Sequence, residues 1–144
     1  MPSSSLFAMR YFGLLFALLV LAGCEHADPL GADGDGLQPT LRSLQENIFS
    51  TSCAVSGCHA GPAPQQGLNL SAGQSFANLV DVPSREMPTL DRVAPGDPEG
   101  SYLVWKIEGR AGIVGARMPL GRPALSAEAI AAVRQWIADG AEDN

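Results

Sequence analysis

Positively charged residues are scarce in this sequence of 144 residues, which has nine lysines and arginines against fifteen aspartates and glutamates. A nucleic-acid-binding role therefore has no electrostatic support, because it needs a basic patch. A catalytic triad, a pair of acid–base carboxylates and a phosphate-binding loop are also missing, so no motif indicates an enzyme in its own right. No segment alternates apolar and polar residues over more than a few positions, which predicts an all-α fold.

An apolar run lies close to the N-terminus, where Arg10 precedes Tyr11 through Leu21. The run is too short to span a bilayer comfortably as a mature helix, and a positive residue before a short apolar core is typical of a secretory signal. The four residues Leu21-Ala22-Gly23-Cys24 resemble a bacterial lipobox, in which cleavage occurs before a cysteine that carries lipid. We expect residues 1–23 to be a lipoprotein signal peptide and Cys24 to be the lipidation site.

The residues after Cys24 predict a tether on the periplasmic side of a membrane. Glu25 stands where an aspartate would signal inner-membrane retention in other lipoproteins, and this favours the outer membrane over the inner. Glycine, aspartate and proline are frequent and no apolar period is present, so residues 24–40 are interpreted as a lipid-anchored flexible linker. Without Arg10 the mature chain carries a charge of about −7, which suits a basic partner surface or simply confers solubility.

The remaining residues, 41–144, are numerous enough for one compact domain. Thr40 can cap a first helix, whose apolar stripe consists of Leu41, Leu44 and Ile48 with Phe49 beside it. This helix leads directly into a pair of cysteines.

Three further helices are predicted from local signals. A short one covers Ala72–Val80, and a buried one follows Asp97-Pro98-Glu99, which combines a capping side chain with proline at the first helical position. The last helix is capped by Ser126 and stopped by Gly140. About four short helices joined by long Gly/Pro-rich loops make a poor core, unless the loops wrap a large rigid apolar group.

The cysteine pair belongs to the run Cys53-Ala-Val-Ser-Gly-Cys58-His59. A Cys-x-x-Cys-His run is the attachment signature of c-type haem, in which both cysteines form thioethers and the histidine ligates the iron. Here four residues separate the cysteines, which resembles the expanded C-x4-C-H motif of some bacterial c-type cytochromes. His59 is then the proximal ligand, and Ser56-Gly57 gives the longer loop freedom to bulge.

Few residues can serve as the distal ligand once the signal peptide is removed. Met118 and Met87 both precede a proline, His26 lies on the linker beside the lipid, and Lys106 or water are further alternatives. A methionine thioether is soft and favours ferrous iron.

The order of helix, Cys…Cys-His, buried helix, Met-Pro loop and final helix with a late tryptophan resembles small monohaem class I-type cytochromes c over residues 41–141. The resemblance implies a cytochrome c-like fold around one covalent haem c, with Met118 as the distal ligand. It also implies that the first and last helices cross through Phe49 and Trp136. The implied function is one-electron transfer between redox partner proteins, which is compatible with the electron-accepting subunit of an oxidoreductase.

Several neighbouring side chains have two interpretations each. Arg117 and Arg122 flank Met118 and either pair with haem propionates or face solvent. Tyr102 and Trp105 either line the haem pocket or belong to the core.

The motif itself also has alternatives to a six-coordinate haem. Cys53 and Cys58 could form a disulfide that staples a haem-free, partner-binding helical domain on a lipoprotein, with His59 incidental. A zinc site would lack a fourth ligand, and a redox-active dithiol prefers a tighter spacing. A haem sensor with an open distal site is the remaining alternative.

Overall fold

The computed structural model describes residues 36–144. The predicted signal peptide 1–23, the lipidation site Cys24 and the distal candidate His26 lie outside the described residues. So does all of the predicted linker 24–40 except its last five positions.

The described part of the chain is helical. Four α-helices occur in the order α1 (Leu41–Leu44), α2 (Ser75–Leu79), α3 (Tyr102–Glu108) and α4 (Ala127–Ala138), and residues 36–144 contain isolated β-bridges but no strand. The all-α prediction is confirmed for this part. No helix found here has both the length and the apolar character needed to cross a membrane.

Helix α1 continues without a break into a π-helical segment, Gln45–Cys53, that ends at the first cysteine of the motif. The Oγ1 atom of Thr40 accepts the amide of Ser43 at 3.2 Å, as predicted for the N-cap. The predicted apolar stripe is confirmed, because all four of its members are buried: Leu41, Leu44, Ile48 and Phe49. Leu37, at the end of the predicted linker, packs against this core.

Two of the predicted helices differ from the structure. Helix α2 begins at Ser75 rather than Ala72, because residues 72–74 form a turn around Gly73, whose φ is +75°. Helix α3 begins at Tyr102 and not at Asp97. The carboxylate of Asp97 accepts the amide of Gly100 at 2.9 Å and so closes a local turn instead of capping a helix.

Helix α4 forms as predicted and completes the core. Ser126 caps it by accepting the amide of Ala129 at 3.1 Å, and Gly140 follows its end with a φ of +106°. Helix α4 packs against α3 and α1. Phe49 and Trp136 are each 1% exposed and belong to one hydrophobic cluster, so the first and last helical segments share their aromatic core.

Candidate functional site

A cavity of about 440 Å³ opens beside the end of the π-helical segment. Its volume lies within the range of roughly 300–1,000 Å³ that is usual for sites of small molecules and cofactors. All four residues predicted to hold a cofactor line it: Cys53, Cys58, His59 and Met118. Its apolar wall consists of Leu68, Leu70, Leu79, Leu103, Ile107, Pro119 and Leu120.

The two cysteines sit at different depths of this cavity. Cys53, at the end of the helix, is partly buried, whereas Cys58 is exposed on the following loop. The loop folds back on itself, because the amide of His59 donates to the carbonyl of Cys53 at 3.2 Å, and Gly57 adopts a φ of +80° within it. Both cysteines are free thiols in the structure.

Burial raises the pKa of Cys53 to about 11, an effect that Arg122 opposes and Cys58 reinforces. Cys53 is therefore a neutral thiol at ordinary pH. It is accommodated in the cavity wall without the cost of a buried thiolate.

This difference predicts unequal alkylation of the two thiols in the protein without haem. At pH 8 we expect iodoacetamide to modify Cys58 at least roughly tenfold faster than Cys53, because only about a thousandth of Cys53 is thiolate. Peptide mapping by mass spectrometry resolves each cysteine over a time course. Unfolding in urea is the control and should equalise the two rates. Equal rates in the folded protein would contradict the described burial of Cys53.

The imidazole of His59 is held in the form that binds metals. Its Nδ1 lies 3.3 Å from the carbonyl oxygen of Leu68, and since a carbonyl only accepts, Nδ1 carries the proton in this hydrogen bond. Burial lowers the pKa of His59, while backbone contacts with Leu68 and Gln65 oppose the shift. A neutral ring with Nδ1 protonated leaves the Nε2 lone pair free for a metal ion.

Met118 enters the cavity from the long loop between α3 and α4. Its amide donates to the carbonyl of Lys106 in α3 at 2.8 Å, which fixes the backbone at this position. Met87, the other methionine considered, is not one of the residues that line the cavity. The Lys106 side chain does line it, but its ammonium is engaged with Glu86 at 3.0 Å and with the carbonyl of Val114 at 2.8 Å.

Cations are concentrated around the cavity. Arg85, Arg92, Lys106 and Arg122 line it, so it collects four of the eight lysines and arginines within residues 36–144 but only one of the eleven acidic residues there, Glu86. Arg92 is buried and its guanidinium donates to the carbonyls of Asn78 and Gln66 at 2.7 and 2.8 Å. A ligand that carries carboxylates would match this charge.

Two of these cations, Arg85 and Arg92, were not predicted from the sequence, because no local motif marks them. From the sequence, Arg117 and Arg122 were considered as partners of haem propionates. Of these two, Arg122 lines the cavity and donates to the carbonyl of Thr51 at 3.3 Å. Arg117 is not part of the lining, and its aliphatic stem lies over Gly109.

The two aromatic residues of α3 have different environments. Tyr102 is buried and lines the cavity, and burial raises the pKa of its phenol. Trp105 lies outside the lining, where its indole nitrogen donates to the carbonyl of Glu99 at 2.6 Å and Arg110 stacks above its ring. Tyr102 therefore lines the cavity, whereas Trp105 does not.

Within residues 36–144, no three histidine, cysteine, aspartate or glutamate side chains form a group suited to hold a metal ion. Neither a protein-family model, nor a curated protein, nor a solved structure matches this chain.

Proposed function

We propose that this protein is a c-type cytochrome that carries single electrons on the periplasmic side of a membrane, tethered by lipid on Cys24. One observation carries the proposal. Two thiols, an imidazole and a thioether, drawn from sequence positions up to 65 residues apart, line the same cavity: Cys53, Cys58, His59 and Met118.

The residues of the cavity fit a c-type haem in their chemistry. Cys53 and Cys58 supply the two thiols needed for thioether bonds, His59 supplies a free ring nitrogen, and Met118 supplies a soft sulfur ligand. The bound haem would supply reversible one-electron chemistry at iron, which is the property of the cofactor rather than of the protein. Arg85, Arg92 and Arg122 would neutralise its carboxylates.

The chain's own residues tune this site by excluding water and by fixing the ligands. Leucine and isoleucine side chains form most of the apolar part of the cavity wall, so charge beside them is poorly solvated. The hydrogen bond from His59 to the Leu68 carbonyl fixes the tautomer and the orientation of the ring. The order of the helices around the cavity supports a cytochrome c-like fold as part of the same proposal.

The tether and the partners belong to the proposal as well. The lipobox-like sequence at Cys24 would anchor the domain, and the linker would let it move between a donor and an acceptor protein. Electron transfer of this kind requires no acid–base machinery in the chain. A protein of this kind could also serve as the electron-accepting subunit of an oxidoreductase.

Replacement of the proposed distal ligand tests the function. In Met118→Ala we expect covalent haem to be retained, the thioether-to-iron charge-transfer band of the oxidised protein to disappear, and the reduced protein to bind carbon monoxide. Six-coordinate iron resists carbon monoxide, so its binding reports the loss of the sulfur ligand. A redox titration should show a one-electron couple whose potential falls in the variant, because the thioether favours ferrous iron.

Met87→Ala is the matched control, since it removes the other methionine that precedes a proline. It should leave the band and the resistance to carbon monoxide unchanged. If Met118→Ala kept the band while Met87→Ala lost it, the assignment of Met118 would be wrong. A wild-type protein that bound carbon monoxide readily would instead indicate an open distal site.

A further inference from the structure

A polar cluster lies at the cavity wall, in which Tyr102 and Lys106 are buried and Glu86 is partly buried. Lys106 is 7% exposed, and its Nζ is 3.0 Å from the Oε2 atom of Glu86. The hydroxyl of Tyr102 donates to the same carboxylate oxygen at 3.1 Å. A buried ion pair contributes little net stability, because desolvation of both charges offsets their attraction. Stability alone therefore does not account for the cluster, and the hydrogen bonds that its side chains make to other residues indicate its role.

Two side chains of the cluster form hydrogen bonds with one residue of the Met118 loop, Val114. Lys106 Nζ donates to the carbonyl of Val114 at 2.8 Å, and the amide of Val114 donates to the Tyr102 hydroxyl at 3.0 Å. Val114 is 49% exposed, so packing does little to hold the residue. The backbone of Val114 is held at both its polar groups by α3.

A second fixed point lies four residues further along. The amide of Met118 donates to the backbone carbonyl of Lys106 at 2.8 Å, so Lys106 holds the loop through its side chain and its main chain. Between α3 and Met118 the loop has no regular structure, and Gly112 and Gly115 adopt φ values of +90° and +70°. Glycines give the unfolded loop more freedom, so an ordered course needs specific contacts.

We infer that Glu86, Tyr102 and Lys106 are positioning residues that hold the loop at Val114 and thereby present Met118 to the cavity. This inference rests on the proposed function. Glu86 aligns the tyrosine hydroxyl and the lysine ammonium, and these two groups fix Val114. The carbonyl of Lys106 then sets the start of the Met-Pro segment.

The first experiment measures amide hydrogen exchange at Val114 and Met118 in the full-length protein. Tyr102→Phe removes one loop contact without changing charge, and the double variant Glu86→Gln/Lys106→Leu removes the other without leaving a buried charge unpaired or adding a second thioether to the cavity. We expect each to accelerate exchange at Val114 roughly two- to tenfold, the equivalent of one hydrogen bond, with a smaller effect at Met118. Lys106→Arg keeps a cationic donor and should restore slow exchange.

The second readout is spectroscopic. In haem-loaded Tyr102→Phe and in the double variant, the thioether-to-iron band should weaken and the reduced protein should bind carbon monoxide more tightly than wild type. The haem should remain covalently attached. Trp105→Phe is the matched control, because it removes one hydrogen bond from the same helix on the side away from the cavity. It should change neither readout.

The outcomes separate the inference from the function on which it rests. Unchanged exchange at Val114 and Met118, together with unchanged carbon monoxide binding in the haem-loaded variants, would overturn the positioning role and leave the function intact. A wild-type protein without haem would overturn the function and the ligand role together.

Discussion

Replacing both motif cysteines, Cys53→Ser and Cys58→Ser, is expected to abolish covalent haem completely. A serine hydroxyl does not add to the vinyl groups as a thiolate or thiol does, so no bond would survive denaturation. Each single variant should retain a haem held by one thioether, which shifts the reduced pyridine haemochrome spectrum away from that of wild type. A haem stain of a denaturing gel, read beside the spectrum, measures both effects.

Ser56→Ala is the matched control for the cysteine variants. Ser56 lies between the two cysteines, is exposed, and should keep full staining when replaced. A stained band of normal intensity in the double cysteine variant would show that haem is not attached through this motif. Far-UV circular dichroism of each variant verifies that the helices remain.

Trp136→Ala is expected to cause the largest loss of stability, about 3–5 kcal/mol in the free energy of unfolding. The side chain is 1% exposed, and its indole nitrogen donates to the carbonyl of Glu142 at 2.8 Å. Its removal would leave a cavity within the cluster that joins α4 to the first helix and an unpaired carbonyl near the C-terminus. A domain of this size has a total stability of about 5–15 kcal/mol, so the variant would be close to unfolding under mild conditions.

Urea denaturation at a fixed haem content measures this loss, with the midpoint falling at unchanged slope. Trp105→Ala is the control, because Trp105 is only partly buried and lies outside the cluster of fully buried residues. It should cost less than half as much. If the two substitutions destabilised the protein equally, the central role of Trp136 in the core would be contradicted.

The first and last helices could be predicted because their signals are local. The hydroxyls of Thr40 and Ser126 cap the residues that follow them, and apolar residues at helical spacing mark the buried faces. The same local reasoning misplaced the start of α3. The side chain of an aspartate before a proline can stabilise a turn as well as cap a helix. Here the carboxylate of Asp97 accepts the amide of Gly100 and stabilises a turn.

The site was predictable only as far as its motif and the order of its elements. The Cys53–His59 run is contiguous in sequence, and Met118 is marked by its place before the final helix. No sequence motif identifies Arg92 and Glu86 as site residues, because their partners are distant in sequence and meet them only in the folded chain. Arg92 reaches carbonyls 14 and 26 residues away, and Glu86 meets a tyrosine 16 residues further along the chain.

The concentration of cations around the cavity also arises from tertiary structure and not from a sequence motif. The sequence as a whole is acidic, with a formal charge of −6, and no run of basic residues stands out in it. Folding brings Arg85, Arg92, Lys106 and Arg122 together from three separate segments. Only the three-dimensional arrangement shows that an acidic protein has a positively charged cavity.

The central claim is that Cys53 and Cys58 bind one haem covalently, and the mass of the purified mature protein tests it most directly. The full chain, including its predicted signal peptide, would be expressed in a host that matures c-type cytochromes and then examined by mass spectrometry, haem stain and pyridine haemochrome. We predict a gain of one haem, a stained band and a c-type spectrum. An unstained band whose mass is lower by two hydrogens, in the native host as well, would contradict the claim and indicate a disulfide-stapled domain.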